Sequence, residues 1–567
     1  MEGTSLHRRL GLIVVILVAT VLRWGDFPGR YERRDYDERP YVISGFALWE
    51  GITPTYKYSP AGPQIWISWA FAAVDSARYL IHPSAEERGV PLVLRPFVAG
   101  NHALFDLYRD WSTPRLVEAL ASALVGVAAA AAGFALGWKR GGWMPAALVG
   151  GLVAVLPVFV QTGDQARPFM MGWGFGIIAL YYAAVAPDRP RAGRWCAFFM
   201  GLAIASRIDM LMLLPLAWAD LIDLDAKLWP RVRRIFSFTF WTAVTALLVS
   251  PWILTNLIGN LRTIATVRLA EPTAGMQSSK LQMALDVAVY QGLGVSVVLM
   301  GCGLFLAAGD RKRVRWASAL YAILLVMSVL KDTGFGLKHQ GGPIVALVTF
   351  AGVGMAGLAR RWPKAALAAL ALALAPPAID VIVNIVIDRR TFVSDHATEW
   401  VERHVPPGTR VYLSPEIHDP LPTVDASNAL WSEVNDGDAW MRKLESGMQR
   451  FQVSTADYPR AFSEENMIIE KGLRREWFIL GSRPFIPDPR YDIRTFSESV
   501  VFGVKDVSAE FKRTGGVLIC DDFEGIMPTD VGTPVAQWLD AYGKGIRIYV
   551  SPDVAGRLKD KENASAW

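Results

Sequence analysis

WCAFFMGLAIASRIDMLMLLPLAWADLIDL, residues Trp195–Leu224, is the stretch on which the fold turns. It is 30 residues long, and its first two thirds carry only Arg207 and Asp209 as charges. About 20 helical residues cross the hydrocarbon core of a bilayer, so the stretch is too long for one crossing. A charged pair near the middle of an apolar run is expensive inside lipid and belongs at a membrane face. The stretch therefore divides at Arg207 and Asp209 into two spans. Comparable runs lie on both sides of it: Leu10–Trp24, Leu116–Trp138, Trp143–Gln161, Phe169–Ala186, Ile235–Leu257, Ala284–Ala308, Trp316–Leu330, Gly341–Leu358 and Ala365–Ile387. Together they make a polytopic α-helical membrane protein of about 11 spans.

Composition agrees. Of 567 residues, 52% are hydrophobic and 20% charged, and the mean hydropathy is +0.26. Disorder needs the opposite balance. Collagen-like, coiled-coil and disulfide-rich classes fail as well, with three cysteines and no heptads. Cys196 and Cys302 fall in apolar runs and Cys520 in the polar tail, which suggests neither a disulfide framework nor a metal site. The net charge of +5 does not imply nucleic acid.

The placement of Lys and Arg sets the orientation. Six short connections carry 18 basic residues: Arg8–Arg9, Lys139–Arg140, Arg189 to Arg194, Lys227 to Arg234, Arg311 to Arg315, and Arg360 to Lys364. The connections on the opposite side carry 7: Arg167, Arg207, Arg262, Arg268, Lys280, Lys331 and Lys338. The positive-inside rule puts the first set and the N-terminus in the cytoplasm. This holds if Ala61–Ile81 lies along the outer surface, where Trp66 and Trp69 suit an interface. A hidden return crossing near Val90–Phe105 would preserve the same parity. The first helix has no A-x-A site before Arg23 and reads as an uncleaved anchor. The alanine-rich run Val125–Ala132 and the glycines of Gly172–Gly176 suit close helix packing.

After residue 388 the composition becomes polar. Arg410–Leu413, Trp477–Leu480, Gly516–Cys520 and Ile546–Val550 read as strands with helical signals between some of them. The expected organisation is a transmembrane domain over 1–388, including a first outer loop over 25–115, and a soluble α/β domain over 389–567.

Ionisable residues sit mostly at the outer ends of spans and in outer loops. A transporter would place them in mid-span, so this distribution favours chemistry at the outer face. The densest cluster is Arg33-Arg34-Asp35-Tyr36-Asp37-Glu38-Arg39-Pro40-Tyr41. A carboxylate there can take a proton from an attacking hydroxyl or amine, and neighbouring arginines can hold a phosphate. A solvated loop with self-paired charges fits the same spacing. Asp35-Tyr36-Asp37 also matches a D-x-D pattern, without a nucleotide-binding fold ahead of it. Arg207 and Lys338 at span ends also fit snorkelling side chains. Arg167 fits an interface anchor, His339 a polar loop residue, and Tyr58 an aromatic belt. The tail histidines His396, His404 and His418 lack metal-site spacing.

The stretch continues through Gly51 and Pro54 to Tyr56-Lys57-Tyr58-Ser59-Pro60-Ala61-Gly62-Pro63. An Asp-Glu pair, a helix broken by Gly-x-x-Pro, and a Tyr/Pro-rich turn before a surface helix resemble the first outer loop of the GT-C glycosyltransferases. The resemblance is to the protein O-mannosyltransferase and lipid A aminoarabinose transferase branch, families 39 and 83. Three further segments resemble the branch in the same order. Gly163-Asp164-Gln165-Ala166-Arg167-Pro168 has Pro168 where the family usually has an Asp, with Asp164 lying earlier. Gly201 to Arg207 ends with Arg in place of the usual Lys. Lys338-His339-Gln340-Gly341-Gly342-Pro343 departs from the usual Arg-Tyr. Residues from Trp400 to Gly408 resemble the start of the periplasmic domains appended to many such enzymes.

The resemblance implies a GT-C fold with a juxtamembrane helix, and an inverting transfer of a sugar from a polyprenyl phosphate. Asp37 matches the catalytic acid, acting as general base, and Glu38 the second acid. Arg207, Lys338, His339 and Arg167 would hold the lipid phosphate, and Asp35, Tyr58 and Asp164 would contact substrate. The acceptor would be lipid A, another glycan or a protein, at the periplasmic face of a bacterial inner membrane. No metal ligand set is legible, although some GT-C enzymes with an acidic loop use a divalent cation. A flippase or transporter of lipid-linked sugars is the alternative, and a non-catalytic assembly protein a second.

Overall fold

The computed structural model describes residues 2–24, 39–49, 61–81, 112–163, 165–189, 191–221, 228–255, 295–299, 341–388, 411–413, 477–480, 517–523 and 546–550. Two compact units divide the chain: Met1–Glu32 with Asp37–Val386, and Arg33–Tyr36 with Ile387–Trp567. Each is considered by itself.

The first unit is helical: α1 (Glu2–Trp24), α2 (Arg39–Trp49), α3 (Gly62–Ile81), α4 (Ser112–Gly141), α5 (Trp143–Val155), α6 (Pro157–Gln161), α7 (Pro168–Val185), α8 (Ala192–Ser206), a 3-10 turn Ile208–Leu213, α9 (Leu214–Leu221), α10 (Leu228–Val249), α11 (Trp252–Thr255), α12 (Gly341–Arg361) and α13 (Pro363–Asp388). Among the described residues five stretches are long and apolar enough to cross a membrane: Thr113–Gly141, Pro168–Val185, Leu228–Val249, Ile344–Arg361 and Pro363–Ile382. The chain is a helical membrane protein. The expected spans Ala284–Ala308, apart from residues 295–299, and Trp316–Leu330 lie outside the described residues.

Proline starts several of these helices. Pro157, Pro168 and Pro363 each occupy the first helical position, where a missing N–H costs nothing. Pro157 also divides the expected span Trp143–Gln161 into α5 and α6, because it cannot donate to the Val153 carbonyl. The stretch Trp195–Leu224 divides where its charges predict. α8 stops at Ser206, Arg207 is extended at φ −149°, and the chain resumes as the 3-10 turn and α9. The short second half gains reach from its 3-10 turn, which rises about 2.0 Å per residue against 1.5 Å in an α-helix.

Close approach of the helices rests on small residues, the usual device where lipid removes the hydrophobic drive between helices. A Cβ on Gly137 would stand 2.4 Å from the Pro145 carbonyl oxygen, and one on Gly150 would stand 2.7 Å from Phe134 Cβ. Gly174 and Gly176 meet Val125 and Leu213 at similarly short range. The glycine-rich turns of α7 are thus packing surfaces, as the sequence suggests. α5 and α7 are buried nearly all round, whereas α10 shows Leu228, Trp229, Phe236 and Leu248 outward.

The antiparallel run of helices sorts the charges. At one end, Lys139 hydrogen-bonds Asp188, Arg140 contacts Asp220 at 2.9 Å, and Gly141 abuts Ala356. The basic ends of α4 and α12 lie there. At the other end meet the C-termini of α1, α6, α8 and α10 and the N-termini of α4, α7 and α12. α3 lies across that second end.

In the second unit four strands form one mixed sheet: β1 (Val411–Leu413), β2 (Trp477–Leu480), β3 (Val517–Phe523) and β4 (Ile546–Val550), ordered β1-β2-β4-β3. β1 pairs parallel to β2, with Val411 opposite Trp477, and β4 pairs antiparallel to β2 and β3. The strand positions lie within three residues of those expected. The helices of the expected α/β domain lie outside the described residues.

Candidate active site

The last carbonyls of a helix need donors from elsewhere, and those of α8 bring the site together. Ser206 Oγ donates to Leu202 O at 2.9 Å, and the Arg207 N–H to Ala203 O at 2.9 Å. Ser250 Oγ donates to Ala205 O at 2.9 Å, and the Ala61 N–H to Ser206 O at 3.1 Å. The end of α8 is thereby fastened to the end of α10 and to the start of α3. Ala61 sits in the left-handed region at φ +48°, a conformation costing a non-glycine residue about 1–2 kcal/mol. Its complete burial and its bond to Ser206 hold it there.

Arg207 extends from this junction. Its Nε and Nη2 donate to the two Asp209 carboxylate oxygens at 2.9 and 3.0 Å, a bidentate pair only 8% exposed at the arginine. Its guanidinium carbon lies 4.3 Å from the Phe169 ring centroid, a cation–π contact. Gly172 leaves room for the stem: a Cβ there would stand 3.2 Å from Arg207 Cβ and Cγ.

Arg167 caps the start of α7 in extended backbone and is 3% exposed. Its carbonyl accepts from Gln64 Nε2 at 3.2 Å. The start of α3 therefore touches the segments carrying both cations, through Ala61 just ahead of it at Ser206 and through Gln64 at Arg167. Ser68 Oγ of the same helix donates to Glu118 of α4, and Trp66 Nε1 donates to the last carbonyl of α10, Val249 O, at 2.7 Å. α3 is a strap over the ends of four helices. α2 backs it at Gly45, where a Cβ would meet Ser68 Cβ at 2.4 Å, and through the cluster of Tyr41, Ala61, Ile65 and Trp252.

Sequence reasoning missed Arg23. It is fully buried at the end of α1, and its Nη2 donates to Val153 O at 2.9 Å and Phe159 O at 3.4 Å. Val153 O is the acceptor that Pro157 leaves without a donor. Gly126 and Gly163 keep space around the guanidinium, since a Cβ on either would stand within 3 Å of its Nε. Arg23 thus fixes the turn after α6 that leads to Arg167. Gln64, Glu118 and the pairing role of Asp209 were also missed. A lone Glu118 in an apolar run was the one signal that pointed to a buried partner.

Of the expected site residues, Arg167 and Arg207 lie on segments linked through Ala61, Gln64 and Phe169. Gly342, the second described residue of the late motif, lies against Asp209: a Cβ on it would stand 3.5 Å from the Asp209 carbonyl oxygen. Asp35, Asp37, Glu38, Tyr58, Asp164, Lys338 and His339 lie outside the described residues. The N-termini of α3, α7 and α12 meet at this end, and helix N-termini favour anions. Two buried guanidinium groups and three such termini make it suited to a phosphate. Among the described residues no three His, Cys, Asp or Glu side chains come together for a metal. Glu118 and Asp209 are engaged by Ser68 and Arg207.

No protein-family model matches the chain, and no curated protein does. Among solved structures it is similar to ArnT from Cupriavidus metallidurans bound to undecaprenyl phosphate, at 13% identity and a TM-score of 0.48, over 97% of this chain and 98% of that one. The apo oligosaccharyltransferase of Archaeoglobus fulgidus is similar at 11% identity and a TM-score of 0.46, over 84% and 69%. Both belong to the GT-C superfamily that the loop motifs resemble.

Proposed function

We propose that the chain is a GT-C glycosyltransferase that moves a sugar from a polyprenyl phosphate to an acceptor at the outer face of a bacterial inner membrane. The observation that supports the reading is that Arg167 and Arg207 are both buried, on segments fastened at the start of one strap helix downstream of the acidic loop. Buried cations favour a phosphate that gains charge as it leaves.

In this reading the lipid phosphate lies against Arg207 and Arg167, with Lys338 and His339 completing its contacts. Asp37, two residues before α2, takes the proton from the acceptor hydroxyl or amine. The acceptor oxygen or nitrogen bonds to the anomeric carbon from the face opposite the phosphate. The bond from that carbon to the phosphate oxygen breaks, its electron pair stays on the phosphate, and the configuration inverts. Glu38 assists the base, and Asp35, Tyr58 and Asp164 contact substrate. About 11 spans, a cytoplasmic N-terminus and a periplasmic C-terminal α/β domain belong to the same reading.

The test is sugar transfer by purified wild type and Asp37→Asn, using radiolabelled undecaprenyl-phosphate sugars and a cell-envelope extract. Loss of a general base lowers transfer by about 10²–10⁴-fold, with donor binding retained. Transfer that survives the change moves the base to Asp35 or Glu38. Lipid translocation in vesicles without any transfer would replace the reading with a flippase. Running the assay with a chelator, then with added divalent cation, decides metal dependence.

A further inference from the structure

The groups described around Arg167 and Arg207 are mostly donors: two guanidinium groups and three helix N-termini. Asp209 is an acceptor already engaged by Arg207, and two further side chains break that pattern. Gln64 is fully buried, and its Nε2 donates to the Arg167 carbonyl. A carbonyl only accepts, so this bond fixes which end of the amide is nitrogen and directs Oε1 elsewhere. Gln64 Oε1 has no hydrogen-bond partner among the described residues. Gln165, 7% exposed, carries a second such oxygen. It is two residues from Arg167, so their Cα atoms are within about 7.6 Å. Buried amide oxygens are almost always paired. Two such acceptors, one at the Arg167 carbonyl and one two residues before it in the chain, call for a group that donates.

A phosphate at pH 7 does not supply that group, but a sugar ring does, through hydroxyl or ammonium hydrogens. We propose that Gln64 and Gln165 accept hydrogen bonds from the sugar of the lipid-linked donor, beside the cations that hold its phosphate, and so set which sugars are taken. The inference rests on the function proposed above and adds the sugar-recognising residues to it. It also gives Gln64 a double role, since the amide that reads the sugar fastens the Arg167 segment to the strap.

The experiment compares the binding of bare undecaprenyl phosphate with that of undecaprenyl phosphates carrying a hexose, a pentose or an amino sugar. The proteins are wild type, Gln165→Met and Gln64→Met in detergent. In wild type at least one sugar tightens binding over the bare lipid. Each substitution removes about fivefold of that gain, the worth of one neutral hydrogen bond. Binding of the bare lipid stays within about twofold in Gln165→Met, which leaves the Gln64 bond to Arg167 intact. Gln165→Met thereby keeps the test decisive should Gln64→Met disturb the strap. Equal weakening of bare and sugar-bearing lipid in Gln165→Met would make the amides structural and overturn the inference, as would an undiminished sugar gain. A wild type that binds the bare lipid but gains from no sugar also overturns it, leaving the phosphate site standing. A wild type that binds none of these lipids overturns the proposed function and this inference together.

Discussion

The two ends of the helical unit use the same residue types for opposite purposes. At one end, Lys139 meets Asp188 in an exposed ion pair and Arg140 meets Asp220 in a half-buried one. At the other, Arg23, Arg167 and Arg207 are 0%, 3% and 8% exposed. Exposed pairs gain little, because water already solvates both partners. Buried guanidinium groups are tolerated only where carbonyls or a carboxylate replace that water, and Asp209, Val153 and Phe159 do so here. Charge at the first end informs about orientation, and charge at the second about chemistry.

The contrast is most directly broken at Arg207. Arg207→Ala strands Asp209 in a buried position, and removing one partner of such a pair costs about 3–5 kcal/mol. Thermal unfolding in detergent should show the loss. Adding Asp209→Asn should restore much of the stability without restoring transfer, which separates the pair's structural share from the arginine's chemical one. Recovery of transfer in the double variant would place the phosphate contact elsewhere.

Arg23→Met comes next. It leaves Val153 O and Phe159 O short of a donor, at about 1–3 kcal/mol for a buried group left unpaired. Arg23→Lys should recover only part, because one ammonium nitrogen replaces a planar fork whose Nη1 bonds Ala19 O while its Nη2 bonds Val153 O and Phe159 O. Melting temperatures of the two variants, ranked against wild type, check this.

A smaller effect is expected at Gly172. Gly172→Ala places a methyl 3.2 Å from the Arg207 stem, an overpacking worth about 1–3 kcal/mol. Transfer should fall more than the melting temperature, since the displaced group is the proposed phosphate ligand. A variant with unchanged transfer kinetics would detach Arg207 from that role.

The smallest changes belong to the other end. Lys139→Ala and Arg140→Ala should each cost about 0–1 kcal/mol and leave transfer rates as they are. A loss there comparable to that at Arg207 would erase the distinction between the ends.

Much of the scaffold was legible because its causes are local. Span length, proline at helix starts, glycine at crossings and the break at Arg207 all follow from a few consecutive residues. The four strands were legible for the same reason. The site was legible only as separate segments. Arg167 and Arg207 stood out as basic residues at outer ends, but nothing in their spacing shows that one helix joins them. The bond from Gln64 to Arg167 spans 103 positions, and that from Arg23 to Val153 spans 130. Such pairs leave no periodicity to read.

From its residues alone, then, this chain declares a membrane helical scaffold, its charge asymmetry and a polar tail with four strands, because hydropathy and backbone preference act over short range. Only the tertiary structure decides that α3 straps four helix ends, that Arg23 takes over the donor Pro157 lacks, and that the Gln64 and Gln165 oxygens are buried without partners among the described residues. Those outcomes depend on which carbonyls helix packing leaves short of a donor, and that is settled only when distant segments meet.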